Sequence, residues 1–115
     1  MNLMSDAVFQ VIKEEIGKHE AVKKMKGVVE FRINVEGQER SIKTIDFHRF
    51  PATVSQGKSS MKPSATMEDE DFVRLCMGDL DPIQGFMSGK LKVKGDILLM
   101  QKLSSVLKGA RKSLL

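Results

Sequence analysis

The stretch from Phe86 to Leu103 constrains the fold more than any other part of the chain, because its hydrophobic pattern changes period within a few residues. Leu91 and Val93 alternate with three lysines, the period-two pattern of a strand with one wet face. After Gly95 the apolar spacing becomes helical and covers more than one stripe of the predicted helix. Its apolar residues are Ile97, Leu98, Leu99, Met100, Leu103, Val106, Leu107 and Ala110. With no catalytic signature elsewhere, we look for function in apolar surface.

Length and composition predict a single globular domain over residues 1–115. The chain is too short for two cores, and its 41% hydrophobic and 30% charged residues are ordinary for a soluble protein. It contains no run of about 18 apolar residues of the kind that spans a membrane, and its first residues contain no apolar stretch like that of a signal peptide. The single cysteine, Cys76, cannot form an internal disulfide, which favours a reducing compartment.

The net charge of +4 raises two classes of partner, nucleic acid and anionic membranes. Tyrosine and tryptophan are absent and the lysines are dispersed, so we expect no nucleic-acid partner. A solvated surface explains the charge most simply, and transient contact with an anionic membrane surface is the functional alternative. Eight methionines are typical either of core filling or of an adaptable apolar cavity.

Local patterns predict a helix, four short strands, two helices, a strand and a closing helix. Ser5 or Asp6 is expected to cap the first helix, and a bulge or twist is expected at Ile42. Thr66 to Asp69 resembles a capping box for the second helix. The other predicted elements are strands at Val28–Val35, Arg40–Phe47 and Ala52–Gln56, an edge-type strand at Ser64–Met67, a helix ending near Met77, and a short helix from Pro82 to Met87. The fold class is therefore α+β, a mixed, mostly antiparallel five-stranded sheet covered by helices.

Three motifs give the chain a resemblance to the sterol carrier protein 2 family. They are Ser5-Asp6-Ala7-Val8-Phe9, Ala65-Thr66-Met67-Glu68-Asp69-Glu70-Asp71-Phe72, and Gly85-Phe86-Met87-Ser88-Gly89-Lys90-Leu91-Lys92-Val93-Lys94-Gly95-Asp96. The last is the most specific and resembles the family's F-x-x-G-K-L-K-V-x-G segment. The resemblance covers nearly the whole chain.

The resemblance implies an apolar tunnel between sheet and helices that shelters one lipid. Family members bind fatty acids, acyl-CoA esters, sterols or phospholipids and move them without chemical change, so we expect a carrier that is not an enzyme and needs no cofactor. The chain resembles the free-standing kind, acting as a monomer or weak dimer. It ends Lys112-Ser113-Leu114-Leu115, which departs from the peroxisomal tripeptide, so we expect a cytoplasmic location with the peroxisome as the alternative.

The predicted tunnel wall combines apolar residues from the sheet and the helices. The sheet contributes Phe31, Ile33, Ile45 and Phe47, and the middle helices contribute Phe72, Val73, Cys76, Met77, Ile83, Phe86 and Met87. The closing helix contributes Leu99, Met100, Leu103, Val106 and Leu107. A lipid head group is expected at the basic turn that contains Lys18, His19, Lys23 and Lys24. Simple core packing of the apolar residues and solvation of the basic ones are the structural alternatives.

Other features have simpler interpretations. Cys76 is expected to be a buried apolar residue, and the isolated histidines and the acids from Glu68 to Asp71 match no metal site. Lys90, Lys92 and Lys94 either attract the protein to membranes or keep an edge strand from pairing with other chains. A protein-interaction module that docks a partner through the closing helix remains the alternative function.

Overall fold

The computed structural model describes residues 3–14, 20–57 and 64–95, together with 101 and 104. Within these ranges the order of elements agrees with the prediction. The elements are α1 (Met4–Glu14), a 3-10 turn (Glu20–Lys24), β1 (Val28–Val35), β2 (Gln38–Asp46), β3 (Thr53–Gln56), β4 (Ser64–Glu68), α2 (Asp69–Met77), α3 (Pro82–Met87) and β5 (Leu91–Lys94). Gln101 and Ser104 are helical, and Ser104 is buried.

The five strands form one mixed sheet in the order β3-β2-β1-β4-β5. β1, β2 and β3 pair antiparallel through short connections, β4 runs parallel to β1, and β5 pairs antiparallel with β4. The predicted α+β class is confirmed, and β5 is an edge strand. The prediction that β4 is an edge strand is wrong, since it lies between β1 and β5. The irregularity expected at Ile42 lies at Arg40, where β2 has one residue more than β1.

The helices cover one face of the sheet. Alternate residues of β1 and β2 point to this face, and Val29, Phe31, Ile33 and Ile45 are fully buried there. α1 and α2 present apolar stripes to them, as the spacing of their apolar residues requires.

Three phenylalanines from α1, β1 and α2 fill the centre of this layer. The Phe9 and Phe72 rings stack at 4.5 Å between centroids, and Phe31 meets both rings edge-on, at 5.8 Å and 5.4 Å. Offset-stacked and edge-to-face geometries are the favourable ones for aromatic pairs. This aromatic trio (Phe9, Phe31 and Phe72) ties the two helices to the sheet.

The opposite face of the sheet is mostly polar, but two of its polar side chains are buried. Glu30 is buried there, and its carboxylate accepts a hydrogen bond from Arg32 Nε at 2.7 Å. Thr44 is also buried and donates from its hydroxyl to the Gly57 carbonyl at 2.9 Å. Both buried polar side chains therefore have hydrogen-bond partners.

The cap of α1 comes from a distant element. The Asp69 carboxylate accepts hydrogen bonds from the backbone N–H groups of Met4 and Ser5, at 3.0 Å and 2.9 Å. Asp6 reaches back to the Leu3 N–H at 2.9 Å. The expectation of a cap at Ser5 or Asp6 is thus only partly correct. The helix begins at Met4, two of its first free amides are capped from α2 instead, and the buried Ser5 hydroxyl has no hydrogen-bond partner among the described residues.

The capping box predicted for α2 is wrong. The residue preceding the helix is Glu68, whose side chain makes no capping hydrogen bond. The Asp69 carboxylate instead accepts hydrogen bonds from the first amides of α1. The acidic first turn of α2 favours its own helix through the helix dipole, and Asp71 also lies 3.9 Å from the guanidinium of Arg74 in the same helix.

Candidate functional site

Six of the predicted wall residues come together in one buried cluster on the helix-covered face of the sheet. The six are Phe31, Ile33, Ile45, Phe47, Phe72 and Cys76, and they share the cluster with core residues of α1 and β4. Their burial fits either a packed core or the wall of an enclosed apolar space.

The other described wall residues lie at the margin of this cluster, and their exposure increases along the chain. Val73, Met77 and Ile83 are partly buried. Phe86 is 46% exposed and Met87 is 80% exposed. The remaining wall residues of α2 are therefore partly buried, and those at the end of α3 are exposed to solvent.

The helix α2 carries two apolar stripes. Phe72, Leu75 and Cys76 are fully buried at positions i, i+3 and i+4. Val73 and Met77 form a second stripe, also four residues apart, and only partly buried. A helix that merely covered a core would need the first stripe alone. The second stripe is the surface on which an apolar ligand could lie.

Positive charge is found at the predicted head-group turn. Lys23 and Lys24 end the 3-10 turn and are exposed. The Lys23 ammonium lies 5.0 Å from the centroid of the half-exposed Phe50 ring, a cation–π distance. This arrangement holds an ammonium group beside an aromatic surface.

Cys76 is a buried thiol. Burial raises its pKa far above the ordinary range of cysteine, because the thiolate is poorly solvated in the core. The thiol is therefore protonated near neutral pH, which agrees with the expectation of an inert apolar residue.

Seven predicted site residues lie outside the described residues. They are Lys18, His19, Leu99, Met100, Leu103, Val106 and Leu107.

Other residues near the site were missed by the sequence analysis. Leu75 is fully buried, and Leu80 and Val93 pack on the rim of the core cluster. The spacing of Leu75 from Phe72 already indicated a core position, whereas Leu80 follows the end of α2 and gave no periodic signal.

No helix in the described ranges has the length and apolarity needed to cross a bilayer. Nor do the histidine, cysteine and acidic side chains of these ranges form a group of three placed to hold a metal ion.

Sequence comparison places most of the chain in one family. Residues 6–108 match the profile of the SCP-2 sterol transfer family. The chain is 32% identical to a nematode protein, non-specific lipid-transfer protein-like 1 from Caenorhabditis elegans, over 93% of this chain and 92% of that protein. It is 41% identical to mouse peroxisomal multifunctional enzyme type 2 over 77% of this chain but only 12% of the enzyme, so the match is to a small part of that enzyme.

Solved structures share the fold. Sterol carrier protein 2 from Yarrowia lipolytica, in its apo form, superposes with a TM-score of 0.79 at 26% identity, covering 95% of this chain and 93% of that one. The Aedes aegypti sterol carrier protein 2 complex with palmitate gives 0.76 at 23% identity, covering 93% and 96%. The five-stranded sheet with its covering helices is thus the architecture of these proteins.

Proposed function

This chain belongs to the SCP-2 sterol transfer family, and from that premise we propose that it is a lipid carrier that binds a long-chain fatty acid, a fatty acyl-CoA or a sterol in an apolar tunnel. The ligand is transferred without chemical change, so the chain is a binding protein and not an enzyme. One relative that it matches over nearly the full length of both proteins is named non-specific lipid-transfer protein-like 1.

The observation that carries the proposal is the second apolar stripe of α2. Val73 packs against the edge of the buried cluster, and both Val73 and Met77 are only partly buried. Each methylene removed from water gains about 0.8 kcal/mol, so a sixteen-carbon chain gains roughly 12 kcal/mol before ordering costs. A ligand that lies on this stripe accounts for apolar surface that the fold does not need for itself.

The proposed wall combines the buried cluster with this stripe. It is made of Phe31, Ile33, Ile45, Phe47, Phe72, Val73, Cys76, Met77, Ile83, Phe86 and Met87, together with the predicted residues of the closing helix.

We place the head group of the ligand at Lys23 and Lys24. A charge at an exposed rim is desolvated less than one inside a tunnel, and Lys23 is held beside Phe50. Lys23→Met is expected to weaken binding of palmitate but not of the uncharged palmityl alcohol. Equal weakening for both ligands would contradict this placement, and Arg40→Met, at an exposed cation of β2, is the control.

A membrane surface is the proposed site of ligand exchange. Exposed Phe86 and Met87 precede Lys90, Lys92 and Lys94, which are also exposed. Apolar side chains beside lysines are suited to the interface of an anionic bilayer. Met87→Asp is expected to slow ligand transfer from vesicles that contain phosphatidylglycerol, whereas Met4→Asp, at another exposed methionine, leaves the rate unchanged. Equal rates for the two variants would remove this surface from the proposal.

We propose a cytoplasmic location. Its support is the single cysteine, which lies buried as a free thiol. Imaging of the chain with a fluorescent tag at its N-terminus tests the location, and co-localisation with a peroxisomal marker would contradict it.

The decisive test is titration of delipidated protein with a fluorescent fatty acid, followed by displacement with palmitate, palmitoyl-CoA and cholesterol. One saturable site at micromolar concentration supports the carrier, and the order of displacement ranks the three ligand classes. A folded protein that binds none of them contradicts the proposal and favours a module that docks a partner protein.

A further inference from the structure

A lysine lies on the apolar, helix-covered face of the sheet. Lys43 stands directly opposite Phe31 in the β1–β2 ladder, so the two side chains share one face. Only 9% of the Lys43 side chain is exposed. Burying an ammonium group is costly unless partners satisfy it, so the surroundings of this one have to be explained.

Among the described residues, the Lys43 ammonium forms one ion pair, with a long distance between its atoms. Lys43 Nζ is 3.4 Å from Asp6 Oδ1, longer than the roughly 2.7–2.9 Å of a strong charged hydrogen bond. The other oxygen of Asp6 already accepts the Leu3 N–H. An ammonium has three donors, so Lys43 retains the capacity to bind a further acceptor.

A cleft of about 310 Å³ opens beside this ammonium, between α1 and the β2–β3 hairpin. This volume is at the lower end of the range for small-molecule pockets, about 300–1,000 Å³. Phe9 and Val54 form apolar parts of the wall, and Ser55 and Gln56 add neutral polar groups.

The charge of the cleft favours an anion. Lys13 and Lys43 line it against a single carboxylate, that of Asp6. Glu14, one residue after Lys13, is not part of the cleft lining. Its carboxylate accepts a hydrogen bond from the Gln10 side chain at 2.6 Å.

The cleft lining shares no residue with the proposed tunnel wall. Phe9 forms part of the cleft wall and also stacks on Phe72 of α2. A molecule in the cleft thus approaches from the side of α1 and β3, whereas the open apolar stripe lies on α2.

We propose that the cleft between α1, β2 and β3 is a second binding site, for a small molecule bearing a carboxylate or phosphate group, with Lys43 and Lys13 as its cationic ligands. The site goes beyond the lipid-carrier function and does not depend on it. The anionic group belongs either to a free small molecule or to the head group of a lipid, and both present the same oxygen acceptors to the two lysines.

Amide chemical-shift titration of the isotope-labelled full chain tests the proposal, with inorganic phosphate and acetate in one arm and dihexanoyl phosphatidic acid in the other. We expect saturable shifts at Asp6, Lys13 and Val54. A much higher affinity for the lipid would identify a head group, and equal affinities a free anion. Shifts that grow without saturating, or that spread over all lysines, would overturn the site.

Substitutions locate the binding group. Lys43→Met removes the ammonium group but keeps an unbranched side chain only one atom shorter, and is expected to weaken phosphate binding at least about tenfold, the effect of one charge-assisted hydrogen bond. Lys13→Met has a smaller effect, and Lys26→Met, at an exposed lysine outside the cleft, has none. Undiminished binding by Lys43→Met would refute the assignment.

A second set of measurements separates this site from folding and from the tunnel. Lys43→Arg retains the charge and is expected to retain binding, which covers the case in which Lys43→Met does not fold. Fatty-acid binding by folded Lys43→Met is expected to equal that of the unsubstituted protein. Loss of both ligands together would place the anion in the tunnel and contradict a second site.

Discussion

The helix-covered face of the sheet has a closed centre and an open margin. At the centre, Phe9, Phe31 and Phe72 are fully buried and contact one another in favourable ring geometries. At the margin, Met77 and Ile83 are half-buried and Phe86 is half-exposed. The residue types are equally apolar in both regions, and only the degree of covering differs.

This difference separates stability from binding. Side chains at the centre are covered by the protein itself, so their burial stabilises the folded state. Side chains at the margin leave apolar surface in water, an arrangement that is typical of ligand or partner sites. Substitutions at the centre are therefore expected to change the free energy of unfolding, and those at the margin to change affinity.

The largest expected effect is at the centre. Phe72→Ala removes a ring that stacks on Phe9 and is expected to lower the free energy of unfolding by about 3–5 kcal/mol, measured by urea denaturation. Phe86→Ala is the matched control at the margin, with an expected loss of less than about 1 kcal/mol because the ring is half in water. Similar losses at the two positions would mean that the margin is packed core as well.

The next effect tests how α1 is attached to α2. Asp69→Ala leaves the Met4 and Ser5 amides without their acceptor, and we expect a loss of about 2 kcal/mol in the free energy of unfolding. Glu70→Ala removes an exposed acid from the same helical turn and is expected to have little effect. If the two losses were equal, Asp69 would act through the helix dipole and not as a cap.

The cap shows where local sequence patterns lose their predictive power. β1 was predicted with both ends correct because its alternation is strict, and α3 because Pro82 is favoured at a helix start. Asp69 also fits a local motif, but its carboxylate binds amides 64 and 65 residues away. A partner so distant in sequence has no local signal.

The same limit applies to β4 and to Lys43. Pro63 suggested an edge strand, yet β4 pairs with β1 on one side and β5 on the other, and such pairing is set by the whole sheet.

Lys43 lies opposite Phe31 in the β1–β2 ladder, and its side chain therefore points to the helix-covered face. The strand that carries Lys43 has an extra residue at Arg40. Shifting register by one residue exchanges the faces of a strand, so one bulge decides which side chain is buried. The sequence predicts that the residues of the margin are apolar, but it does not predict how far each of them is exposed to solvent.

A smaller effect is expected in affinity at the margin. Met77→Gln places a polar group on the second stripe of α2, and we expect about tenfold weaker binding of a fluorescent fatty acid, the equivalent of about 1.4 kcal/mol. The free energy of unfolding should change by less than about 1 kcal/mol, since the side chain is only partly buried. Met4→Gln makes the same substitution at an exposed methionine of α1 and serves as the control. A large loss of stability with unchanged affinity would assign Met77 to the core.

The smallest effect lies at the junction between the two regions, where α2 ends at Gly78. This residue has a φ of 83°, and the N–H groups of Gly78 and Asp79 donate to the carbonyls of Leu75 and Arg74. Such an ending requires a left-handed residue, which an L side chain adopts at a cost of about 1 kcal/mol. A Cβ at this position would meet no atom within 4 Å, so Gly78→Ala should lower the free energy of unfolding by about that amount and no more.

Gly78→Asn should lose less stability than Gly78→Ala, because asparagine tolerates this conformation better. Fatty-acid affinity should be unchanged in both variants, since the strain is confined to the backbone; a parallel loss of affinity would mean that the α2–α3 turn itself sets the shape of the open margin.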